Sequence, residues 1–146
     1  MSRRPARTDS KHADYTPRIE WALFAERAER DDLGFLNLSQ VRRWLPRIPG
    51  EPVGIRLSLV FGLSTTPHST TMVQLTVLWP QGDLITSPVR VAVKDAHFAD
   101  VVVKFPSVPV HEVGMVRVEF RLNDQAEPNY VTQLAILDTP FSLVRG

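Results

Sequence analysis

The chain has 146 residues, 43% of them hydrophobic and 23% charged, with a formal net charge of +1 and no cysteine. That length favours one domain whose core needs neither disulfide nor metal. The missing cysteine excludes disulfide frameworks, cysteine-ligated zinc, iron–sulfur clusters and thiol catalysis.

The charge is uneven along the chain. Residues 1–18 carry Arg3, Arg4, Arg7, Lys11 and Arg18 against Asp9 and Asp14, a net of +3, which leaves −2 for the rest. This polar start lacks an apolar h-region and reads as a flexible basic tail ahead of a domain spanning residues 19–146. It shares its arginines with transit peptides, but Asp9 and Asp14 argue against one. The longest strictly apolar run, Trp21–Ala25, is far short of the ~20 residues of a membrane helix. A cytoplasmic protein without membrane contact is the expectation. The basic tail can attract nucleic-acid phosphates, yet no aromatic side chain precedes Tyr15 to stack a base.

Two readings compete from Ile19 to Pro49. Glu20–Arg30 is rich in helix formers; Trp21, Phe24, Ala25 and Ala28 fall at helical spacing, and Pro17 suits a first turn behind Thr16. Ile19, Trp21, Leu23 and Ala25 also alternate as a strand does, with Asp31-Asp32-Leu33-Gly34 as a turn into Phe35–Val41. Propensity favours the helix and the surrounding pattern favours the hairpin.

Beyond residue 55, period-two alternation dominates. Ile55, Leu57, Leu59, Phe61 and Leu63 share one face; Val73, Leu75, Val77 and Trp79 repeat the pattern. Val89, Val91 and Val93 form another set, and Val116, Val118, Phe120 and Leu122 alternate cleanly with Arg117, Glu119 and Arg121. One buried and one wet face is the mark of antiparallel sheet. Val101–Val103, Val131–Leu137 and Phe141–Val144 read as further strands. Trp79-Pro80-Gln81-Gly82 suits a type I turn within a hairpin, and Asn123–Asn129 suits a link. Pro106 and Pro109 keep their stretch extended, at a sheet edge or outside the sheet. The twelve prolines gather mainly in such connections. The pattern predicts an all-β, antiparallel two-sheet β-sandwich of about seven to nine strands.

The order "WALFAERAE", an acidic turn, "LGFLNLSQV" and a Pro-rich link resembles the opening of a family of small bacterial domains of unknown function. Members of that family start with an "ALxA"-type strand, an acidic or glycine turn and a "KLNLLG"-like second strand. "TTMVQLTVLWPQGDLI" is similar to the family's strand–turn–strand, and "GMVRVEFRLND…TQLAILDTPFSLV" to its final hairpin, so the resemblance runs over most of residues 19–144. Ser39 and Gln40 stand where the family often has glycine, and the "RRWLPR" stretch is an insertion. The resemblance implies a β-sandwich, tips residues 20–30 towards the hairpin, and brings no catalytic residues with it.

Catalytic patterns are sparse. There is no G-x-S-x-G elbow, Walker loop or G-x-G-x-x-G. His12, His68, His97 and His111 show no triad context, and no cofactor is implied. Asp95, His97 and Asp100, with His111 as a fourth group, are the candidate metal ligands of a metal-dependent hydrolase; the competing reading is a polar loop with Asp capping backbone donors. Glu20, Glu26, Glu112 and Glu119 supply carboxylates for glycoside hydrolysis, but nothing in the sequence pairs them.

Arg42-Arg43-Trp44-Leu45-Pro46-Arg47 is the sharpest local feature. Arg and Trp dominate binding hot spots, so Arg42, Arg43, Trp44 and Arg47 are the candidate binding residues. In the alternative, Trp44 and Leu45 pack on the core while the arginines face water. Trp21 and Trp79 are assigned to core packing, and Thr65, Thr66, Thr70 and Thr71 flank Pro67 and His68 in a polar loop. The leading functional expectation is a non-catalytic module that binds a protein partner or itself. Binding of nucleic acid or another acidic ligand, through the tail and Arg42–Arg47, is the alternative.

Overall fold

The computed structural model describes residues 16–47, 54–82, 84–109 and 112–138. The expected strand at Phe141–Val144 and the histidines His12 and His111 lie outside them, as does the tail up to residue 15.

Nine strands form among these residues: β1 (Arg18–Arg30), β2 (Leu36–Arg42), β3 (Trp44–Arg47), β4 (Gly54–Ser64), β5 (Ser69–Leu78), β6 (Leu84–Val93), β7 (Phe98–Pro109), β8 (Gly114–Leu122) and β9 (Tyr130–Asp138). They build a four-stranded sheet, β2-β1-β4-β7, and a five-stranded sheet, β3-β9-β8-β5-β6. The fold is therefore all-β with two sheets, as the alternation required. Residues 20–30 are strand: packing of an alternating face against the second sheet overrides the helical propensity of Ala, Glu and Arg.

The facing sides of the sheets supply the core. Leu57, Leu59, Phe61 and Leu63 of β4 meet Val73, Leu75 and Val77 of β5, Val116, Val118 and Phe120 of β8, and Leu134 and Ile136 of β9. Phe61 packs edge-on against Phe120 at 5.2 Å, and Phe120 against Tyr130 at 5.7 Å, the T-shaped geometry that ring quadrupoles favour. Trp79 lies in this core and its hairpin closes as a tight turn, with the Gly82 amide donating to the Trp79 carbonyl at 2.9 Å. Proline-bearing β7 is an edge strand, where missing N–H groups cost least.

Trp21 departs from the expected pattern. A bulge lies between Ile19 and Trp21 in the pairing with β4, and one extra residue moves every later side chain to the other face. Ile19, Ala22 and Phe24 therefore contribute to the core. Trp21, Leu23 and Ala25 stand on the outer face, opposite Gly62, Val60 and Ser58. The indole of Trp21 lies over Gly62, the glycine that leaves room for it.

That outer face is covered in part by the β1–β2 hairpin itself. Pairing of β1 with β4 stops at Ala25↔Ser58, while pairing with β2 continues to Arg30↔Leu36. The far end of the hairpin thus leaves the sheet as an arm. Arg30 donates to the carbonyls of Gly34 and Asp100, and Asp100 pairs with Gly62 towards the other end of β4. The arm must bend back across β4 to reach β7. Ser58 and Val60, on the outer face of the sheet, and Ala28, on the arm, are buried accordingly.

Candidate functional site

The segment Arg42–Arg47 is where the chain changes sheets. β2 ends with Arg42 opposite Phe24 at the edge of one sheet, and after the bend at Arg43 the chain enters the other sheet as β3. β3 runs parallel with β9, from Trp44↔Ala135 to Arg47↔Asp138; the other pairings among the described residues are antiparallel. The Ala135 amide donates to the Arg43 carbonyl at 3.3 Å and fastens the crossing.

The four candidate binding residues separate into two kinds. Arg42 Nη2 donates to Glu26 Oε2 at 2.8 Å and to Gln40 Oε1 at 3.2 Å. Arg47 forks onto Asp138, with Nε to Oδ1 at 2.8 Å and Nη2 to Oδ2 at 3.1 Å. This bidentate hydrogen bond raises the Arg47 pKa and holds the Asp138 carboxyl below its ordinary value. Both arginines are thus committed to carboxylates of the fold. Arg43 is exposed and has no side-chain partner among the described residues.

Trp44 and Leu45 also part company. Leu45 is fully buried in the core, whereas Trp44 remains 39% exposed. The register places Trp44, Ala135 and Met115 in one row across β3, β9 and β8, on the outer face. Met115 is 48% and the adjacent Leu137 46% exposed, so the row forms an apolar strip beside Arg43. Farther from β3 the same face turns polar, with Arg117 and Arg121 both ion-paired to Glu119 at 2.8 and 2.9 Å. The bond from Arg117, then that from Arg121, depresses the Glu119 pKa.

The metal candidates do not assemble. Among the described residues no three His, Asp or Glu side chains are placed to hold a metal ion. Asp95 is exposed beside His68 Nε2, 3.3 Å away. His97 and Asp100 serve the fold through their carbonyls, which accept from the Thr65 amide and from Arg30. Asp95 and His97 lie in the bend between β6 and β7, and Asp100 lies on β7 itself. The proposed glycosidic carboxylates are likewise dispersed. Glu20 bonds Ser64 and Arg18, in that order of effect lowering its pKa, while Glu26 is held by Arg42. The threonine loop is anchored: Thr65 is buried, and the His68 amide donates to the Lys94 carbonyl at 2.7 Å.

Three exposed apolar side chains were not anticipated from the sequence. Leu33 and Phe35 at the arm's turn, and Phe98 two residues from Asp100 on β7, are 64–82% exposed. The Arg30–Asp100 contact brings these elements together. The available signal was the turn "DDLGF" itself, because tight turns seldom carry Leu and Phe beside the glycine.

No protein-family model matches the sequence, and no curated protein matches it. Among solved structures, Pseudomonas fluorescens alkylpurine DNA glycosylase AlkC, bound to DNA containing an abasic site analog, is similar at a TM-score of 0.47 and 12% identity. The similarity covers 92% of this chain and 36% of the glycosylase chain. So distant a likeness assigns no function.

Proposed function

We propose that the protein is a non-catalytic binding module that works through protein–protein contacts at the corner where β2 passes into β3. The observation that carries this reading is the exposed row Trp44–Ala135–Met115, flanked by Leu137 and by the guanidinium of Arg43, which has no side-chain partner among the described residues. Trp, Met and Arg are the side chains enriched where partners dock, because each offers large area or directed contacts. An exposed apolar strip also needs a reason, and burial against a partner supplies one.

The test compares the wild type with a Trp44→Asp/Met115→Asp double variant. Light scattering over a concentration series reads self-association, and affinity capture from the native cell extract reads partners. The proposal expects a complex of either kind that the double variant loses while its Tm stays within a few degrees. A wild type that forms no complex, or a complex that survives the double substitution, would overturn it.

A further inference from the structure

The sheet change at Arg43 leaves a strand position unfilled. β2 pairs with β1 only from Phe24 onward, and β3 pairs with β9 only from Ala135 onward. Among the described residues, the stretch Trp21–Leu23 of β1 and the stretch Tyr130–Leu134 of β9 have no strand on that side. Between them lies a cleft of about 450 Å³, lined by Ala22, Leu23 and Phe24 of β1, Val41, Arg42 and Arg43, and Thr132 and Gln133 of β9.

Three properties of this cleft define what fits it. Among the described residues its backbone edge is open: the bond from the Ala135 amide to Arg43 sets which β9 groups face β3. By strand alternation, the N–H and C=O of Gln133 then point into the seam. Its outer floor is apolar, with Leu23 and the exposed Val41 on one face of the sheet. Its charge is unbalanced, because Glu26 neutralises Arg42 whereas Arg43 has no counter-ion among the described residues.

We propose, resting on the protein-contact reading above, that this seam binds an extended segment of a protein partner by strand addition to β9. The segment carries an apolar side chain for the Leu23–Val41 floor and an adjacent Asp or Glu for Arg43. Main-chain hydrogen bonds supply affinity in this mode, while side-chain pockets supply selectivity. An extended apolar segment alone would leave the guanidinium without its charge-assisted partner.

Peptides selected from a random heptamer library against the immobilised full chain provide the test. Enrichment of Asp or Glu next to an aliphatic or aromatic residue is expected. Arg43→Gln should weaken the best selected peptide by about tenfold, while Arg90→Gln on the distant edge strand β6 leaves it unchanged. Methylation of alternate backbone nitrogens in that peptide should weaken it at least as much. No enrichment, enrichment without acidic residues, binding indifferent to Arg43→Gln, or full tolerance of N-methylation would each overturn the seam assignment. Capture that survives the Trp44→Asp/Met115→Asp substitutions, with the peptide results intact, would overturn the Trp44 face and leave the seam standing.

Discussion

Substituting Gly62 tests the bulge that decides which face of β1 meets the core. A Cβ added at Gly62 would sit 2.7 Å from Trp21 Cε2 and 3.0 Å from Cδ1, with Nε1 closer still. Carbon atoms do not approach so closely, so in Gly62→Ala the rigid indole must swing off the sheet. Trp21 is half-buried, so about 100 Å² of its surface returns to water, which at ~25 cal/mol per Å² costs about 2.5 kcal/mol. Overpacking elsewhere costs a similar ~1–3 kcal/mol. For a domain of this size that amounts to a fall in Tm of roughly 6–10 °C. Trp21→Ala removes the same packing by another route, so the double variant should be little worse than Trp21→Ala alone. Urea denaturation of the wild type, both single variants and the double variant gives the coupling directly. Gly62→Ala within about 0.5 kcal/mol of wild type, or strictly additive costs, would refute the placement of Trp21 on the outer face.

Three further expectations follow from the geometry. Leu45→Ala should cost about 2–5 kcal/mol, since Leu45 is fully buried; Trp44→Ala, one residue away, should cost about 1 kcal/mol or less, and urea midpoints will separate the two. Glu119 has its folded-state pKa depressed by Arg117 and Arg121, so its contribution to stability is complete above roughly pH 4.3 and is lost as the pH falls through the lower folded value. Glu119→Gln should therefore flatten the acid limb of a stability profile between pH 6 and pH 2; an unchanged slope would contradict the assignment. Arg30→Ala should speed amide hydrogen exchange at Leu33–Phe35, because Arg30 ties the arm's turn to Asp100, and should leave the slowest core amides untouched.

Most of the architecture was legible because one physical rule, alternation of apolar and polar residues, repeats along β4, β5, β6 and β8. Where that rule was interrupted, legibility ended. The bulge beside Trp21 is invisible in the sequence, since Ile19, Trp21, Leu23 and Ala25 alternate perfectly on paper. The arm was equally hidden: the Arg30 contact with Asp100 joins residues seventy apart, and no local pattern announces it. The parallel pairing of β3 depends on where the chain lands after Arg43, a tertiary matter.

The Arg/Trp segment was legible as a place to look, but its division of labour was not. Arginine forks look alike in sequence whether they hold a partner's carboxylate or the fold's own. Only the positions of Glu26 and Asp138 assign Arg42 and Arg47 to the fold, and leave Arg43 to other contacts. For Asp95, His97 and Asp100, proximity in sequence suggested a shared site, and among the described residues no group of three ligands forms.

Site-specific photo-crosslinking tests the central claim most directly. A photoreactive phenylalanine analogue placed at Met115, on the apolar row beside Trp44, should give a discrete crosslinked species in the native extract or with a second copy of the chain. The same probe at Thr86, on β6 of the same sheet face, should give none. Equal crosslinking from both positions, or crosslinking from Thr86 alone, would contradict a partner surface at the β2–β3 corner.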